Sequence, residues 1–233
     1  MYRHYIFDLY GTLADICTDE TDPAAWRALA EALGAEKWES LPDRYVALCR
    51  AEQARLERAL ARAGIPGPAE IDIENVWRAL FPGADTKAVS ALFRRLTTRR
   101  LALYPGAKAL LSALRARGKT ICLLTNAQAS FTLPELRTLG IDGAFDHIFI
   151  SSRAGVKKPS PAFFALPRRA GLPPEESLMI GNDDACDCRA AAAAGMDSLY
   201  IRTAQSPEPS GPLPENCREI SALSQALTLP QLA

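Results

Sequence analysis

The sequence has no excess of charge of either sign, because 27 lysines and arginines balance 27 aspartates and glutamates. Binding to nucleic acid or to an anionic membrane through bulk charge needs a basic excess. We therefore expect no nucleic-acid partner and no membrane partner. No apolar run approaches the roughly 20 residues of a membrane-spanning helix. Asp8 also interrupts the apolar stretch that a signal peptide would need at the N-terminus.

Cysteine is present six times in 233 residues, but no two cysteines form a CxxC pair. A chain of this length can bury a core large enough to fold without disulfides. We therefore expect reduced thiols in a cytoplasmic protein. Cys186 and Cys188 would act as metal ligands only with further partners, which the sequence does not offer.

Short apolar runs alternate with helical patterns over most of the chain. Glycine ends two of these helical patterns, at Gly118 and at Gly195, as is common at helix C-termini. Strands that alternate with helices predict an α/β fold, in which helices cover both faces of a parallel sheet. The expected strands are residues 4–8, 120–125, 147–151, 177–180 and 198–201, and the expected helices include 107–117 and 184–194.

Residues 15–101 break this alternation, because they contain no convincing strand and their pattern is that of several helices. Tyr45, Cys49 and Leu56 belong to an apolar stripe at helical spacing. The segment begins directly after the turn that follows Asp8, so it leaves and re-enters the sheet at the strand ends. We expect it to lie over those ends as an all-helical cap.

The expected domains are therefore a core of residues 1–14 and 102–233 and a helical cap of residues 15–101. Residues 203–216 are rich in proline and serine, which predicts an irregular connection to a final short helix.

Polar or conformationally special residues stand at the carboxyl ends of four expected strands: Asp8, Thr125, Ser151 and Gly181. In a parallel α/β sheet, the ligand crevice lies beyond the carboxyl ends of the strands. These four positions therefore predict one shared site.

The stretch "LLTNAQ" adds Thr125 and Asn126 to this site, and "GVKKPSPAFF" adds Lys158 just before Pro159. Each residue alone has a structural explanation, such as a turn for Thr125 or a solvated charge for Lys158. A carboxylate, a hydroxyl donor and a lysine at one sheet edge together indicate catalysis.

The stretch "MIGNDDACDCRAA" clusters Asn182, Asp183, Asp184 and Asp187 after the fourth expected strand. Asp183 or Asp184 is also explained as a helix cap. Clustered carboxylates favour a hard divalent cation, which prefers several oxygen ligands.

Four stretches in this order, "DLYGT", "LLTN", "KKP" and "GNDDACD", resemble the motifs of the haloacid dehalogenase-like hydrolase superfamily. The helical insertion also lies where that family has its cap. The resemblance implies a Rossmann-like core in which Asp8 attacks the substrate and forms a covalent aspartyl intermediate. It implies that Thr125, beside Asn126, hydrogen-bonds the transferring group, and that Lys158 neutralises negative charge.

The resemblance also implies a Mg²⁺ cofactor. Its expected ligands are Asp8, the backbone carbonyl of Tyr10, Asp183 and Asp187, directly or through water. Asn182 stands where many relatives have the first acid of the last motif, which leaves open whether Asp183 or Asp184 reaches the metal.

The sequence differs from the family's phosphatases more importantly at Tyr10 than at Asn182. Most of those phosphatases have an aspartate at the position of Tyr10, where it acts as the general acid and base. Tyrosine has an ordinary pKa near 10, so it is no ready base at neutral pH. Tyr10 remains among the expected catalytic residues by its position, and it resembles the family's haloacid dehalogenases. Asp15 is the alternative source of the proton.

Three functions follow from these features. The acid cluster favours a magnesium-dependent phosphomonoester hydrolase that acts on a small phosphorylated metabolite through an aspartyl-phosphate. Tyr10 favours a 2-haloacid dehalogenase, because halide leaves without protonation. A family member that binds a ligand or a protein with little turnover is the third function. The oligomeric state stays open.

Arginines are frequent in the expected cap, and a solvated charged face explains most of them. One or two are expected to point inward to a second anionic group of the substrate, since a guanidinium matches carboxylate and phosphate geometry. The candidates are Arg27, Arg44, Arg50, Arg55, Arg94 and Arg95.

Overall fold

The computed structural model describes residues 2–228, and its elements are numbered here in chain order. The strands are β1 (His4–Phe7), β2 (Ala14–Thr18), β3 (Thr98–Leu103), β4 (Thr120–Thr125), β5 (His147–Ile150), β6 (Ser177–Gly181), β7 (Asp197–Ile201) and β8 (Cys217–Ile220). The helices are α1 (Pro23–Leu33), α2 (Leu41–Arg62), α3 (Ile73–Leu80), α4 (Thr86–Thr97), α5 (Ala107–Ala116), α6 (Ala129–Thr138), α7 (Ser151–Ala154), α8 (Pro161–Arg169) and α9 (Ala190–Ala193).

Six strands form one parallel sheet in the order β5-β4-β1-β6-β7-β8. Side chains alternate along a strand, so Tyr5 and Phe7 of β1 enter one apolar cluster and Ile6 enters another. Leu110 of α5 packs in the first cluster, and Phe163 of α8 packs in the second. The predicted α/β fold, a parallel sheet covered on both faces, is confirmed.

The residues that were predicted to lie at strand ends lie along the carboxyl edge of this sheet. Asp8 directly follows β1, Thr125 ends β4, Ser151 follows β5 and Gly181 ends β6. After β1 the chain builds β4 and β5 on one side of it, and then β6, β7 and β8 on the other. A crevice forms where successive connections diverge in this way. That crevice lies at β1 and β6.

Helices α1 to α4 share an apolar cluster of their own, which includes Trp26, Trp77 and Phe93. The rings of Trp77 and Phe93 lie 4.9 Å apart, a normal distance for packed aromatic pairs. Asp22, Asp72 and Asp85 accept backbone N–H groups at the starts of α1, α3 and α4, which stabilises those helix ends. Phe131 of α6 completes the cluster, so these helices pack against the neighbouring core helix.

The expectation of no strand in residues 15–101 was wrong. β2 and β3 pair antiparallel where the chain enters and leaves the four helices. Both strands are short and carry polar residues, including Asp15 and Arg100, which form an ion pair at 2.8 Å. Backbone hydrogen bonds hold such a ribbon together, and no apolar alternation marks it in the sequence.

The C-terminal part also differs from the expectation. The final helical turn, Leu223–Leu227, is preceded by an unpredicted edge strand, β8, with Ile220 as its one fully buried residue. The expected helix over 184–194 is a π-helical turn, Asp184–Arg189, followed by α9. Met1 and residues 229–233, which belong to the expected core, lie outside the described residues.

No helix within residues 2–228 combines the length and the apolar composition that crossing a membrane requires. All six cysteines are free thiols.

Candidate active site

A cavity of ≈180 Å³ opens beside Asp8 at the carboxyl edge of the sheet. It brings together the seven residues that were expected to act in catalysis or to bind the metal: Asp8, Tyr10, Thr125, Asn126, Lys158, Asp183 and Asp187. Ser151 and Gly181, which were expected at the same site, are not among its described lining residues. Asn182, Cys186, Gln205 and Pro207 complete its lining.

Lys158 lies between two carboxylates in this cavity. Its Nζ donates to Asp8 Oδ1 and to Asp187 Oδ1, each at 2.7 Å, and its side chain is 2% exposed. Burial alone lowers the pKa of a lysine, but the carboxylates of Asp187 and Asp8 raise the pKa of Lys158 above its ordinary value. Lys158 is therefore a fixed cation beside Asp8. Burial raises the pKa of Asp187, and Lys158 acts against that increase.

Asn126 holds the backbone of Lys158 rather than its ammonium group. The Lys158 N–H donates to Asn126 Oδ1 at 2.8 Å, and Asn126 Nδ2 donates to the Lys158 carbonyl at 3.1 Å. Two reciprocal hydrogen bonds fix where the lysine side chain begins. Asn126 thus acts on the site by positioning Lys158.

Thr125 has a buried hydroxyl that makes no hydrogen bond within residues 2–228. A buried polar group without a partner costs about 1–3 kcal/mol, so such groups are uncommon. Because Thr125 also lines the cavity, its hydroxyl is placed to bond an oxygen of a ligand there.

Asp183 and Asp184 are neighbours in the acid cluster, but their side chains have different partners. Asp183 lines the cavity, and its Oδ1 accepts the N–H groups of Ala185 and Cys186 at 2.9 Å. Asp184 turns away from the cavity and binds Ser210 through the backbone N–H at 3.0 Å and the hydroxyl at 2.7 Å. Of these two acids, Asp183 is the one that faces the site.

Two glycines allow the motif loops to approach one another. Gly11 has φ +84°, and a Cβ built there would lie 2.3 Å from the Asn182 side chain. A Cβ at Gly181 would lie 2.1 Å from the Asp187 carboxylate. Larger residues at either position would displace cavity-lining side chains, because real Cβ atoms do not approach so closely.

The Tyr10 hydroxyl donates to the buried carboxylate of Glu135 and lies 3.1 Å from Thr132 Oγ1. Burial, together with the negative charge of Glu135, raises the pKa of Tyr10 above its ordinary value. Tyr10 is therefore a neutral, fully engaged hydroxyl and not an acid or base for the cavity. Asp15 does not line the cavity either, and it binds Arg100 and Gln205.

Of the six candidate arginines, five are exposed and Arg94 reaches the core. Arg94 Nε donates to Glu135 Oε1 at 2.6 Å, and its guanidinium lies 4.9 Å from the Phe131 ring centroid. The anion that Arg94 meets is thus a protein carboxylate.

A family model described as haloacid dehalogenase-like hydrolase matches residues 2–195. This chain belongs to that family. A phosphoglycolate phosphatase of Yersinia pestis is 33% identical over 202 residues, which cover 85% of this chain and 80% of that protein. A phosphoserine phosphatase of Thermus thermophilus is 34% identical over 128 residues, which cover 54% of this chain and 51% of that relative. The chain thus aligns with only about half the length of the Thermus protein.

Solved structures of the family show the same fold. A HAD phosphatase from Thermococcus onnurineus has a TM-score of 0.64 at 17% identity and covers 99% of this chain and 100% of its own. A 2-haloacid dehalogenase from Pseudomonas syringae also has a TM-score of 0.64, at 22% identity, with 97% of each chain covered. The fold therefore does not distinguish the two reactions.

The oxygen-rich cavity of this haloacid dehalogenase-like hydrolase offers ligands of the kind that Mg²⁺ prefers. Mg²⁺ commonly binds one or two carboxylates, with water and substrate phosphate as further ligands. Asp8 and Asp183 are such cavity-lining carboxylates, whereas both Asp187 oxygens bond within the protein. Burial raises the pKa of Cys186 to about 12, so its thiol stays protonated. Within residues 2–228, no three His, Cys, Asp or Glu side chains form a metal site by themselves.

Three contributors to this site were missed from the sequence: Glu135, Gln205 and Pro207. Glu135 is an acid within the amphipathic pattern of α6, 125 positions from Tyr10. Gln205 and Pro207 lie in the segment expected to be only an irregular connection. The sequence signal for Gln205 and Pro207 is that their proline-rich loop directly follows a core strand, so the loop begins at the sheet edge where the site lies.

Arg94→Met tests the ion pair between the four helices and the core. We expect it to lower the free energy of unfolding by about 2 kcal/mol, because Glu135 would keep a buried charge without its cation. The expected loss is below that of a fully buried pair, since Arg94 is 15% exposed. Urea unfolding measures the effect. The control Arg95→Met removes an exposed arginine and should change stability by under about 0.5 kcal/mol. Equal losses in both variants would contradict the assigned pair.

Proposed function

We propose that this protein is a magnesium-dependent phosphomonoester hydrolase that acts on a small phosphorylated metabolite through an aspartyl-phosphate on Asp8. The observation that carries the proposal is the grouping of Asp8, Asp183 and Asp187 around one small cavity, with Lys158 between two of them. Phosphoryl transfer needs positioning and charge neutralisation, which this arrangement supplies. The named phosphatases among its relatives support the same reaction.

The geometry around Asp8 supports one of its two oxygens as the attacking atom. Lys158 binds Oδ1 of Asp8, whereas within residues 2–228 Oδ2 accepts one side-chain hydrogen bond, from the Thr12 hydroxyl at 3.4 Å, which supports Oδ2 as the nucleophile. Oδ2 forms a bond to phosphorus while the ester oxygen leaves with the bonding electrons. Water then attacks phosphorus, the bond to Oδ2 breaks, and phosphate departs.

The remaining cavity groups stabilise this transfer. Lys158 offsets the negative charge of Asp8, and Thr125 Oγ1 donates to a phosphoryl oxygen. Asp8, the Tyr10 carbonyl and Asp183 would hold Mg²⁺, with Asp187 acting through water and through Lys158. Bound Mg²⁺ would supply further positive charge to the phosphoryl oxygens.

Release of inorganic phosphate from p-nitrophenyl phosphate, with Mg²⁺ and with excess chelator, tests the proposal. We expect turnover that requires the metal, together with no halide release from 2-chloropropionate in either condition. Full phosphate release in chelator would contradict the metal requirement. Halide release without phosphate release would contradict phosphomonoester hydrolysis itself.

The leaving group should matter strongly, because Tyr10 gives its hydroxyl to Glu135 and supplies no proton. An alkoxide leaves poorly without protonation, whereas a nitrophenolate leaves well. We expect kcat for p-nitrophenyl phosphate to exceed kcat for an unactivated alkyl phosphate by about 10²-fold, a typical contribution of general acid catalysis. Tyr10→Phe should leave this ratio unchanged. A comparable kcat for the two esters, or a ratio that moves in Tyr10→Phe, would show that a proton donor is present.

A 2-haloacid dehalogenase is the second candidate, and the engaged Tyr10 hydroxyl favours it. In that reaction Oδ2 of Asp8 attacks carbon and halide leaves unprotonated. The reaction therefore needs no general acid at position 10. Halide release from 2-chloropropionate in chelator is the result that would select it.

A member that binds a ligand with little turnover is the third candidate. Binding of a phosphomonoester without release of phosphate or halide would select that one.

We also propose the division into a core of residues 1–14 and 102–233 and a cap of residues 15–101. The separate apolar cluster of α1 to α4 supports it, as does the β2–β3 ribbon at the boundary.

A cytoplasmic location stays a prediction from the cysteine content. Phosphoglycolate and phosphoserine, which appear in the relatives' names, are the first metabolites to assay.

A further inference from the structure

The charge of the cavity is strongly biased toward anionic protein groups. Three aspartates line it, and among the described lining residues Lys158 is the one cation. That cation already binds Asp8 and Asp187. The cavity therefore holds no protein cation to receive a second anionic group of a substrate.

Helices α1 to α4 do not change this balance of charge. None of the described lining residues belongs to α1, α2, α3 or α4. Arg94, whose guanidinium lies 5.9 Å from the Tyr10 ring centroid, is neutralised by Glu135. Arg100 is likewise paired with Asp15.

Gln205 lines the same cavity as Asp8. Its Nε2 donates to Asp15 Oδ1 at 2.6 Å and to the Ile16 carbonyl at 2.7 Å. These two bonds fix the amide, and its Oε1 accepts no hydrogen bond from residues 2–228. A fixed carbonyl oxygen without a donor is suited to a hydroxyl or ammonium group of a ligand.

The loop that carries Gln205 is attached on both sides of it. Thr203 Oγ1 donates to the Gly11 carbonyl at 2.8 Å, and Ser210 is bound to the buried carboxylate of Asp184. A recognition group on a braced segment discriminates ligands better than one on a loose loop. The role of Asp184 is thus to hold this loop.

We propose that the substrate's leaving group is uncharged or cationic and donates a hydrogen bond to Gln205 Oε1, and that phosphomonoesters with a carboxylate leaving group are disfavoured. This inference rests on the proposed phosphomonoester hydrolysis and names its substrate class. Bound Mg²⁺ and Lys158 would be engaged by the cavity aspartates and the phosphoryl group, so a carboxylate on the leaving group would enter beside like charge without a cation of its own, which costs several kcal/mol. The expected substrates are phosphorylated small alcohols and amino alcohols.

The test compares kcat/KM for 2-hydroxyethyl phosphate, O-phosphoethanolamine and phosphoglycolate, three esters of nearly equal size. We expect the first two to exceed phosphoglycolate by about tenfold or more, since one unfavourable charge contact easily reaches that factor. Gln205→Leu should lower kcat/KM for 2-hydroxyethyl phosphate by about fivefold, mainly through KM, as expected for one hydrogen bond. Gln205→Lys should shift the preference toward phosphoglycolate.

The control is Gln53→Leu, the same change in a glutamine of α2 that is not among the cavity-lining residues, and it should leave all three ratios unchanged. A wild-type preference for phosphoglycolate over 2-hydroxyethyl phosphate would overturn the inference, as would ratios that do not move in either Gln205 variant. p-Nitrophenyl phosphate separates a failure of the leaving-group preference from a failure of phosphomonoester hydrolysis. If the wild type hydrolyses it, these outcomes bear on the leaving group alone. If it does not, phosphomonoester hydrolysis itself has failed.

Discussion

Asp8→Asn should reduce kcat on p-nitrophenyl phosphate by about 10⁴-fold or more, a loss typical of removing a nucleophile. An amide oxygen is a poor nucleophile, whereas the carboxylate Oδ2 of Asp8 has no strong partner within residues 2–228. The amide keeps the shape of the carboxylate and can still accept from Lys158 through its oxygen. The variant should therefore fold, with Lys158 still paired to Asp187. Phosphate release and circular dichroism measure the two properties.

The matched control for this variant is Asp183→Asn, which changes a neighbouring cavity carboxylate that makes no covalent bond in the account. It should raise the Mg²⁺ concentration needed for turnover while keeping measurable kcat at saturating metal. Wild-type turnover in a clean Asp8→Asn preparation would rule out Asp8 as the nucleophile. Equal loss in both variants, unrelieved by metal, would assign Asp8 a role as ligand only.

Lys158→Met should have the largest effect on stability. The change leaves Asp8 and Asp187 as two buried carboxylates without their shared cation. Removing one partner of a buried ion pair typically costs about 3–5 kcal/mol. We expect a loss of that size in urea unfolding at pH 7, with phosphate release below detection.

Part of the stability of Lys158→Met should return as the pH falls toward 5. Burial raises the pKa of Asp187, and without the lysine this carboxyl protonates more easily still.

Lys157→Met provides the comparison, because Lys157 is adjacent in sequence and only half-buried. It should lose under about 1 kcal/mol and retain turnover. If Lys158→Met is as stable as Lys157→Met, the assigned bridge between Asp8 and Asp187 is wrong. Lys158→Arg is the second variant, and it should recover stability better than turnover, since a planar guanidinium cannot reproduce the same two contacts.

The sheet edge was predictable from the sequence because it depends on local signals. Each strand around Asp8 and Thr125 is a short apolar run, and its end is marked by a polar residue or by glycine. The order of a parallel sheet then brings these ends together. Lys158 was assigned to the same edge through the stretch "KKP", which resembles a family motif and lies in the connection between β5 and α8.

The contacts that define how the site works were not predictable in the same way. Tyr10 bonds Glu135 across 125 positions, and Gln205 bonds Asp15 across 190. Such pairs depend on how α6 and the loop after β7 pack on the sheet, which no local pattern reports. The choice between Asp183 and Asp184 was open for the same reason, because the Ser210 contact that occupies Asp184 lies 26 positions away.

The most direct measurement of the central claim is peptide mass spectrometry on enzyme that is acid-quenched during turnover of p-nitrophenyl phosphate with Mg²⁺. The peptide that contains Asp8 should carry the mass of one phosphoryl group, the group should map to Asp8, and the Asp8→Asn peptide should carry none. A phosphoryl group on another side chain would contradict the account. So would an Asp8 peptide that is modified only as a carbon ester, after exposure to 2-chloropropionate.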